Sequence, residues 1–514
     1  SERTSERREC TKGWSSVTGA LLLGVDIGTQ SAKAALFDSG GTCLAASSAP
    51  LTLHRRGPAA VEQEPEDFYR ATIKTIAACV AKAGCAPGEV AAIGLSGQMA
   101  GILGIGADGR AVTPYDSWLD SRCRPEVDEL ARLLGDELVE LTGCPPMVAH
   151  APKLLWWRRT HPDVYASVAK FLVPSAFVAG LLCGLAAEEA YVDWTHLHFS
   201  GLADAANATW SPELTAEAGI DAGKLPRIVA PTERVGELTA EAAEACGLRA
   251  GTPVAAGLGD TAAGMLGAGI VRAGQVLDTA GTASVLGIST TAFRPDVTTR
   301  TLVQMRGALP GQWISLAYLA GGDVVRWLPS ALGAGSLEEL LGEAHAAAPA
   351  RLLFVPYLGG RILPAAPSAR GGWVGLDFSH TRGDLARAAL ESVAFEFAGF
   401  LERALELHPD LAPEDVRVIG GGSGDARWSL IKASALGLPY LRLRRESFAC
   451  WGAALVAGAA AGLIDDVSAA AQAGEAEAER TVPDPSLQPV YRERLTDYRA
   501  VVDLLVPQHE EVVV

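Results

Sequence analysis

The chain is 514 residues long, more than one ordinary hydrophobic core requires, and so points to two large domains of the α/β kind. Hydrophobic residues at 49% and charged residues at 20% exclude a disordered or collagen-like chain. A net charge of -17, with no basic stripe interleaved with aromatics, excludes nucleic acid as the expected partner.

Residues 1–19 are charged and repetitive, lack the apolar stretch of a secretory signal, and are expected to be a disordered leader or tag outside the fold. The first strong element, LLLGVDIGTQSAKAALFDSGG, predicts a β-hairpin in which an apolar strand reaches Asp26 and turns through Gly28-Thr29. Helices are predicted at Pro65 to Ala83, Val127 to Thr142 and Pro152 to Arg159, with the strand VAAIGLSGQ among them. GIGADG, from Gly104 to Gly109, satisfies G-x-G-x-x-G but leads into RAVTPYD and not a helix, so a hairpin turn is expected there. The run from Phe171 to Ala187 is barely long enough to span a bilayer and carries Pro174 and two glycines, which predicts a buried helix. The segment PTERVGELTAEAAEACGLRAGTPV reads as the approach to a boundary between lobes.

GQVLDTAGTASVLGIST then repeats the design of the first hairpin, with its turn at Gly281-Thr282, and two hairpins of one design imply two lobes of one design. Helices follow at Asp323 to Leu332 and Arg382 to Leu407, then the strand-turn-helix VRVIGGGSGDARWSLIKASALG. From Ala469 to Pro485 the composition turns to Ala, Glu and Gly without periodicity, which predicts a solvated linker before a terminal helix. The division is thus an N-terminal lobe over 20–254, a C-terminal lobe over 255–468, and a linker with a C-terminal helix over 469–514.

Four places can carry chemistry, and each has a plainer reading beside it. Asp26, next to exposed backbone N–H groups and Thr29, suits a hydrated magnesium ion near a phosphate, or simply ends a strand and orders a turn. At Gly281-Thr282 backbone amides can approach phosphoryl oxygens closely, or the pair is an ordinary hairpin tip. Asp260, in AAGLGDTAAGMLGAG, can accept a hydroxyl proton during phosphoryl transfer, or serve as the N-cap of a small-residue helix. GGGSGDARW suits a flat ligand or a phosphate at a helix N-terminus, or a tight strand-to-helix turn. No G-x-x-x-x-G-K-[ST] loop occurs. His196 and His198 form H-x-H without a third ligand nearby and read as structural or rim residues. The nine cysteines, without metal or redox spacing, read as free thiols of a reducing cytoplasm.

The order of these parts resembles the FGGY carbohydrate kinases, particularly the xylulokinase branch, within the fold superfamily shared with actin, hexokinase and chaperone ATPases. The similarity runs from Leu21 to Asp466 through LLLGVDIGTQSAKAALFD, IGLSGQMAG, SWLDSR, KLLWW, AAGLGDTAAGMLGAG, DTAGTASV, VPYLGGRILPAAPSARGGWVGLDFSHTRGDLARAALESVAF and VIGGGSGDARWSLIKASALG. It implies an α/β fold of two actin-like, RNase H-like lobes around an interdomain cleft, and an ATP-dependent sugar kinase that uses Mg²⁺. By the same resemblance Asp260 is the general base, and Asp26, with Asp260, orders the metal. Thr29, Gln30, Gly281 and Thr282 contact phosphates. Gly322 approaches the nucleotide, and Gly421, Gly422, Ser423 and Arg427 match the adenosine-binding turn. The sugar lies against Gln98, Met99, Ala100, Trp118, Asp120 and Thr261.

Two departures fall on the sugar side. Ala100 stands where xylulokinases carry His after S-G-Q-M, and Thr261 where they usually carry Asn after the catalytic Asp. Each changes a polar partner of a sugar hydroxyl, and a buried hydroxyl without its partner costs roughly 1–3 kcal/mol. The expectation is therefore phosphorylation of a ketose, such as the pentulose xylulose, or of a related polyol such as a tetritol, with other pentuloses, a deoxyketose or a four-carbon polyol as runner-up substrates. A sugar-sensing pseudokinase of the same fold is the alternative. An ATPase with a protein client is disfavoured by SGQMAG and SWLDSR. A cytoplasmic location, no membrane or nucleic-acid partner, and a homodimer complete the expectation.

Overall fold

The computed structural model describes residues 19–281, 284–349, 351–445, 447–473 and 478–506, with Gly422 and Ser423 described by backbone alone. Among the described residues the architecture rests on two seven-stranded mixed sheets. In the first, the order is Arg234–Glu237, Pro253–Ala255, Val90–Gly97, Leu21–Ile27, Ser31–Phe37 and Cys43–Pro50, with Leu258–Gly259 also pairing with Val90–Gly97. In the second it is Val303–Arg306, Trp313–Leu319, Ser284–Thr290, Val276–Ala280, Val416–Ile419, Tyr440–Leu443 and Ala478–Thr481. Each sheet opens on an antiparallel hairpin whose first strand then pairs in parallel with a later strand. That shared plan is the repetition expected from the two hairpin sequences.

The helices follow from their end signals. Helix Pro65–Ala83 starts on Pro65 with Glu66 and Asp67 in its first turn and stops at Gly84, which takes the left-handed conformation at φ 65°. Helix Arg382–Leu407 begins in a capping box between Thr381 and Asp384. The other predicted helices appear with shifted ends, as Arg124–Thr142, His150–Thr160 and Gly321–Ala331. Gly106 N–H donates to the Arg110 carbonyl at 2.8 Å, so GIGADG is a turn.

Two expectations are refined and one is overturned. The run from Phe171 to Ala187 is divided between strand Lys170–Leu172 and helix Pro174–Cys183, because Pro174 cannot continue a strand but starts a helix well. No described helix is long and apolar enough to cross a membrane. The segment 231–254 forms an edge of the first sheet, where strand Arg234–Glu237 pairs antiparallel with Pro253–Ala255 around helix Ala240–Cys246. The stretch expected as a solvated linker holds helix Val467–Ala473 and strand Ala478–Thr481, which pairs antiparallel with Tyr440–Leu443. The linker reading failed because an edge strand with one solvated face need not look apolar.

The two sheets share a middle layer. Helix Phe448–Ala460 runs behind Leu21–Ile27 and Val90–Gly97 and also against helix Asp260–Gly267. Its backbone comes so close that a Cβ on Gly24 would stand 1.8 Å from the Cys450 carbonyl oxygen, and one on Gly94 2.0 Å from that of Ala453. Only glycine permits this approach. The surrounding core takes Leu22 and Ala92 from the first sheet and Leu277 and Leu316 from the second, so the lobes are joined by buried apolar contact.

Candidate active site

Asp26 sits near the end of strand Leu21–Ile27, and the register of the hairpin sets Lys33 directly opposite. On the neighbouring parallel strand, Ser96 donates its hydroxyl to Asp26 Oδ1 at 2.9 Å. Burial drives the Asp26 carboxyl above its ordinary range, and Lys33 and Ser96 offset only part of that rise.

Asp260 is the first residue of helix Asp260–Gly267, and the N-cap position belongs to Gly259. The capping alternative therefore does not account for it. Thr261 N–H donates to Asp260 Oδ1 at 2.6 Å, and the Thr261 hydroxyl donates to the same oxygen at 3.3 Å. Burial and the neighbouring Asp26 charge push the Asp260 carboxyl up to about 6, against the pull of Thr261 and His196. The backbone beneath it is fixed, since Gly259 N–H donates to Thr195 Oγ1 at 2.9 Å. Asp193 in turn accepts from Thr195 and lies 2.8 Å from His196 Nδ1. Both members of the H-x-H pair are buried, His196 at 0% and His198 at 2% exposure, so neither lies on a rim. Burial pulls His198 down to about 3.

Both aspartates open onto one cleft of about 1070 Å³, just above the usual range for small-molecule sites. Of the other predicted site residues, Met99, Ala100, Trp118, Thr261 and Gly281 line it. Gly420, with φ 94°, lines it one residue before the predicted Gly421. Thr282 lies outside the described residues, as do the side-chain positions of Gly422 and Ser423.

The remaining predicted residues are not among those lining the cleft. The Thr29 hydroxyl accepts from Trp118 Nε1 at 2.9 Å and donates to Gln98 Oε1 at 3.3 Å. Gln98 Nε2 donates to Gln63 at 2.9 Å, so this amide braces the hairpin tip from behind. Gln30, at the same tip, is exposed and gives its carbonyl to Leu51 N–H. Asp120 Oδ2 accepts from Val61 N–H at 2.7 Å and from Arg122 Nε at 2.9 Å, and buried Lys153 donates to the Asp120 carbonyl at 2.9 Å. These contacts make Asp120 a brace for the loop that presents Trp118, not a wall of the cleft. Gly322 is the second residue of helix Gly321–Ala331. Gly421 is exposed, and Arg427 turns back onto Asp425, the N-cap of its own helix.

Several lining residues were not foreseen. Lys33 was legible in principle, because the hairpin register alone sets it across from Asp26. Phe199 and Tyr318 come from segments without a motif. Arg442, within strand Tyr440–Leu443, and Arg444 and Arg445, just after it, reach the cleft where the chain returns toward helix Phe448–Ala460. Together with Lys33 they bring four cations to the cleft, of which Arg442 and Arg444 share Glu479 at 3.5 and 3.0 Å, and such side chains suit an anionic ligand. Below the second hairpin, Lys432 Nζ meets Asp278 Oδ2 at 2.6 Å, a buried pair that ties strand Val276–Ala280 to helix Ala426–Leu436.

Comparison with known proteins bears on this geometry. Residues 21–267 match the N-terminal domain, and 278–461 the C-terminal domain, of the FGGY family of carbohydrate kinases. The chain is 30% identical to the xylulose kinase of Escherichia coli K12 over 425 residues, 81% of this chain and 85% of that one. It is 31% identical to a glycerol kinase of Geobacter over 88% of this chain and 92% of that one. The crystal structure of xylulose kinase from Rhodospirillum rubrum superposes with a TM-score of 0.86 at 28% identity, covering 94% of this chain and 99% of the other. The chain belongs to the FGGY family of ATP-dependent carbohydrate kinases.

Proposed function

We propose that this kinase transfers the γ-phosphoryl group of ATP to a hydroxyl of a ketose or related polyol, with Asp260 as the base. The observation that carries the reading is a pair of carboxylates lining one cleft with Lys33 and three arginines: Asp26, raised by burial, and Asp260, raised by burial and by the Asp26 charge. A carboxylate poised at about 6 is ionised at neutral pH yet basic enough to take a proton as the acceptor oxygen attacks. Phosphoryl transfer asks the protein chiefly to position the reactants and neutralise charge.

In this reading the acceptor lies against Met99, Ala100 and Trp118 with its reacting hydroxyl at Asp260. The triphosphate lies toward Lys33, Gly281 and Thr282, and the nucleoside toward Gly322 and the turn Gly420 to Ser423. The residues suit magnesium, since Asp26 and Asp260 lack enough nearby positive charge to offset their burial. Bound there, the ion would neutralise phosphate charge. Trp118, fixed through its indole N–H to Thr29, orients the acceptor. Asp260, fixed through Gly259 and Thr195, takes the proton.

A coupled ADP-release assay with ATP, magnesium and a panel of ketoses and polyols tests the proposal. Turnover with at least one acceptor, together with its phosphate ester by mass spectrometry, is the expected result. Thermal stabilisation by a sugar without turnover would mark a sugar sensor instead, and the phosphotransfer reading would be wrong.

A further inference from the structure

The acceptor half of the cleft has an unusual balance of surfaces for a site that takes a sugar. Around Asp260 its walls are Met99, Ala100, Trp118, Phe199 and Tyr318, three aromatic rings, a thioether and a methyl group. Polar side chains do occur on the same loops, but they are committed elsewhere. Gln98 spends its carbonyl on Thr29 and its amide on Gln63. Asp120 spends both oxygens on Val61 and Arg122. The indole N–H of Trp118 belongs to Thr29. Apart from Asp260, and from Asp26 and Lys33 assigned above to the metal and the triphosphate, the described side chains near Asp260 offer an acceptor only the hydroxyls of Thr261 and Tyr318, and Thr261 already leans on Asp260.

Ala100 concentrates this deficit at one place. Its backbone sits at φ 60°, in the left-handed region that residues with a Cβ seldom occupy, so its methyl group is held at the wall at a conformational cost. Strain of this kind persists where the surroundings over-determine the backbone.

Building on the kinase reading above, we infer that the preferred acceptor is a deoxygenated one: a short ketose or polyol whose far end, away from the phosphorylated hydroxyl, is a methyl or methylene group packed on Ala100 and Phe199. A fully hydroxylated pentulose brings a carbonyl and three hydroxyls besides the reacting one. Two side-chain hydroxyls leave part of this set of four groups without a side-chain partner, and each group left buried and unpaired costs roughly ten-fold in kcat/KM. A deoxy acceptor removes the unmatched group and gains apolar contact instead.

The test measures ADP release and phosphate-ester formation for matched pairs of acceptors: a pentulose and its 1-deoxy counterpart, and a tetritol and the triol lacking one terminal hydroxyl. The expected result is a kcat/KM about ten-fold or more higher for the deoxy member of at least one pair. A100H, which places an imidazole at the wall and suits a positive φ better than most side chains, is expected to narrow that ratio. Equal or higher kcat/KM for the fully hydroxylated member of both pairs in the parent enzyme would overturn the inference while leaving the kinase reading intact. Absence of any phosphate ester from all four acceptors, alongside turnover of some other hydroxylated sugar, would overturn it as well. Absence of turnover with every acceptor would overturn the kinase reading itself.

Discussion

Asp260 and Asp296 are the same residue type in two parts of the molecule, and their surroundings treat them in opposite ways. Asp296, at 0% exposure, receives Arg403 Nη2 at 2.7 Å, the Thr299 hydroxyl at 2.6 Å and the Thr301 N–H at 2.9 Å. Those donors hold its carboxyl below the ordinary range in spite of burial. Asp260 has Thr261 and little else, faces Asp26, and is raised to about 6. Where fixed donors replace water completely, a buried carboxylate is a piece of scaffold. Where they do not, it stays basic and in want of a proton or a cation, which is the condition catalysis requires.

The largest effect that can break this contrast is on turnover. Asp260→Asn is expected to lower kcat by roughly 10²–10⁴ while nucleotide affinity stays within about three-fold, because the base acts in the transition state and not in binding ATP. Asp296→Asn is expected to keep near-parental kcat at a temperature where it remains folded. If both variants lost turnover alike, or if Asp260→Asn kept it, the division into catalytic and scaffold carboxylates would fail.

Next in size is stability. Asp296→Asn keeps one acceptor oxygen but deprives Arg403 of its charged partner and sets an NH2 donor against one of the donors now bound to the carboxylate, a loss of roughly 3 kcal/mol. Denaturant melts at pH 7 should show the midpoint of Asp296→Asn well below that of the parent. An unchanged midpoint would mean that Arg403, which also pairs with Glu406 at 2.8 Å, finds compensation outside the cluster.

How much of this was legible in the sequence depended on whether the signal was local. The hairpin around Asp26 and its repeat around Gly281 were readable from apolar strands broken by small residues, and helix Pro65–Ala83 from its Pro start and Gly stop. Asp260 was placed correctly at the start of a helix, while its pairing with Asp26, some 230 residues away in sequence, came only from the family resemblance and not from any local signal. Gln98 and Asp120 look like sugar ligands in a linear reading. Their roles as braces depend on Gln63, Arg122 and Val61, which reach them only through tertiary folding. Phe199, Tyr318 and the arginines at 442, 444 and 445 carry no motif, and only the cleft assigns them to the site. The strand Ala478–Thr481 was missed because its exposed, charged residues hide an edge pairing made entirely by backbone.

The smallest effect sharpens the contrast most, because the two aspartates should answer pH with opposite signs. A carboxyl raised from 3.8 to about 6 binds more protons in the folded state than in the unfolded one across that interval. Its contribution to stability is therefore full below 3.8 and is lost as pH rises through about 6. At neutral pH the ionised Asp260 costs the fold about 1–3 kcal/mol, allowing for its partial contact with solvent. Asp260→Asn should thus melt higher than the parent at pH 7.5 and equal to it near pH 4, while the parent's kcat/KM climbs with pH through about 6 and then levels. For Asp296, with its carboxyl held low, the stabilisation is present above the ordinary carboxylate value of 3.8 and fades only as pH falls beneath it. The deficit of Asp296→Asn should accordingly be constant from pH 5 to 8 and shrink in acid. A gain for Asp260→Asn that did not depend on pH would trace to repacking rather than charge, and would remove the electrostatic basis for assigning the base.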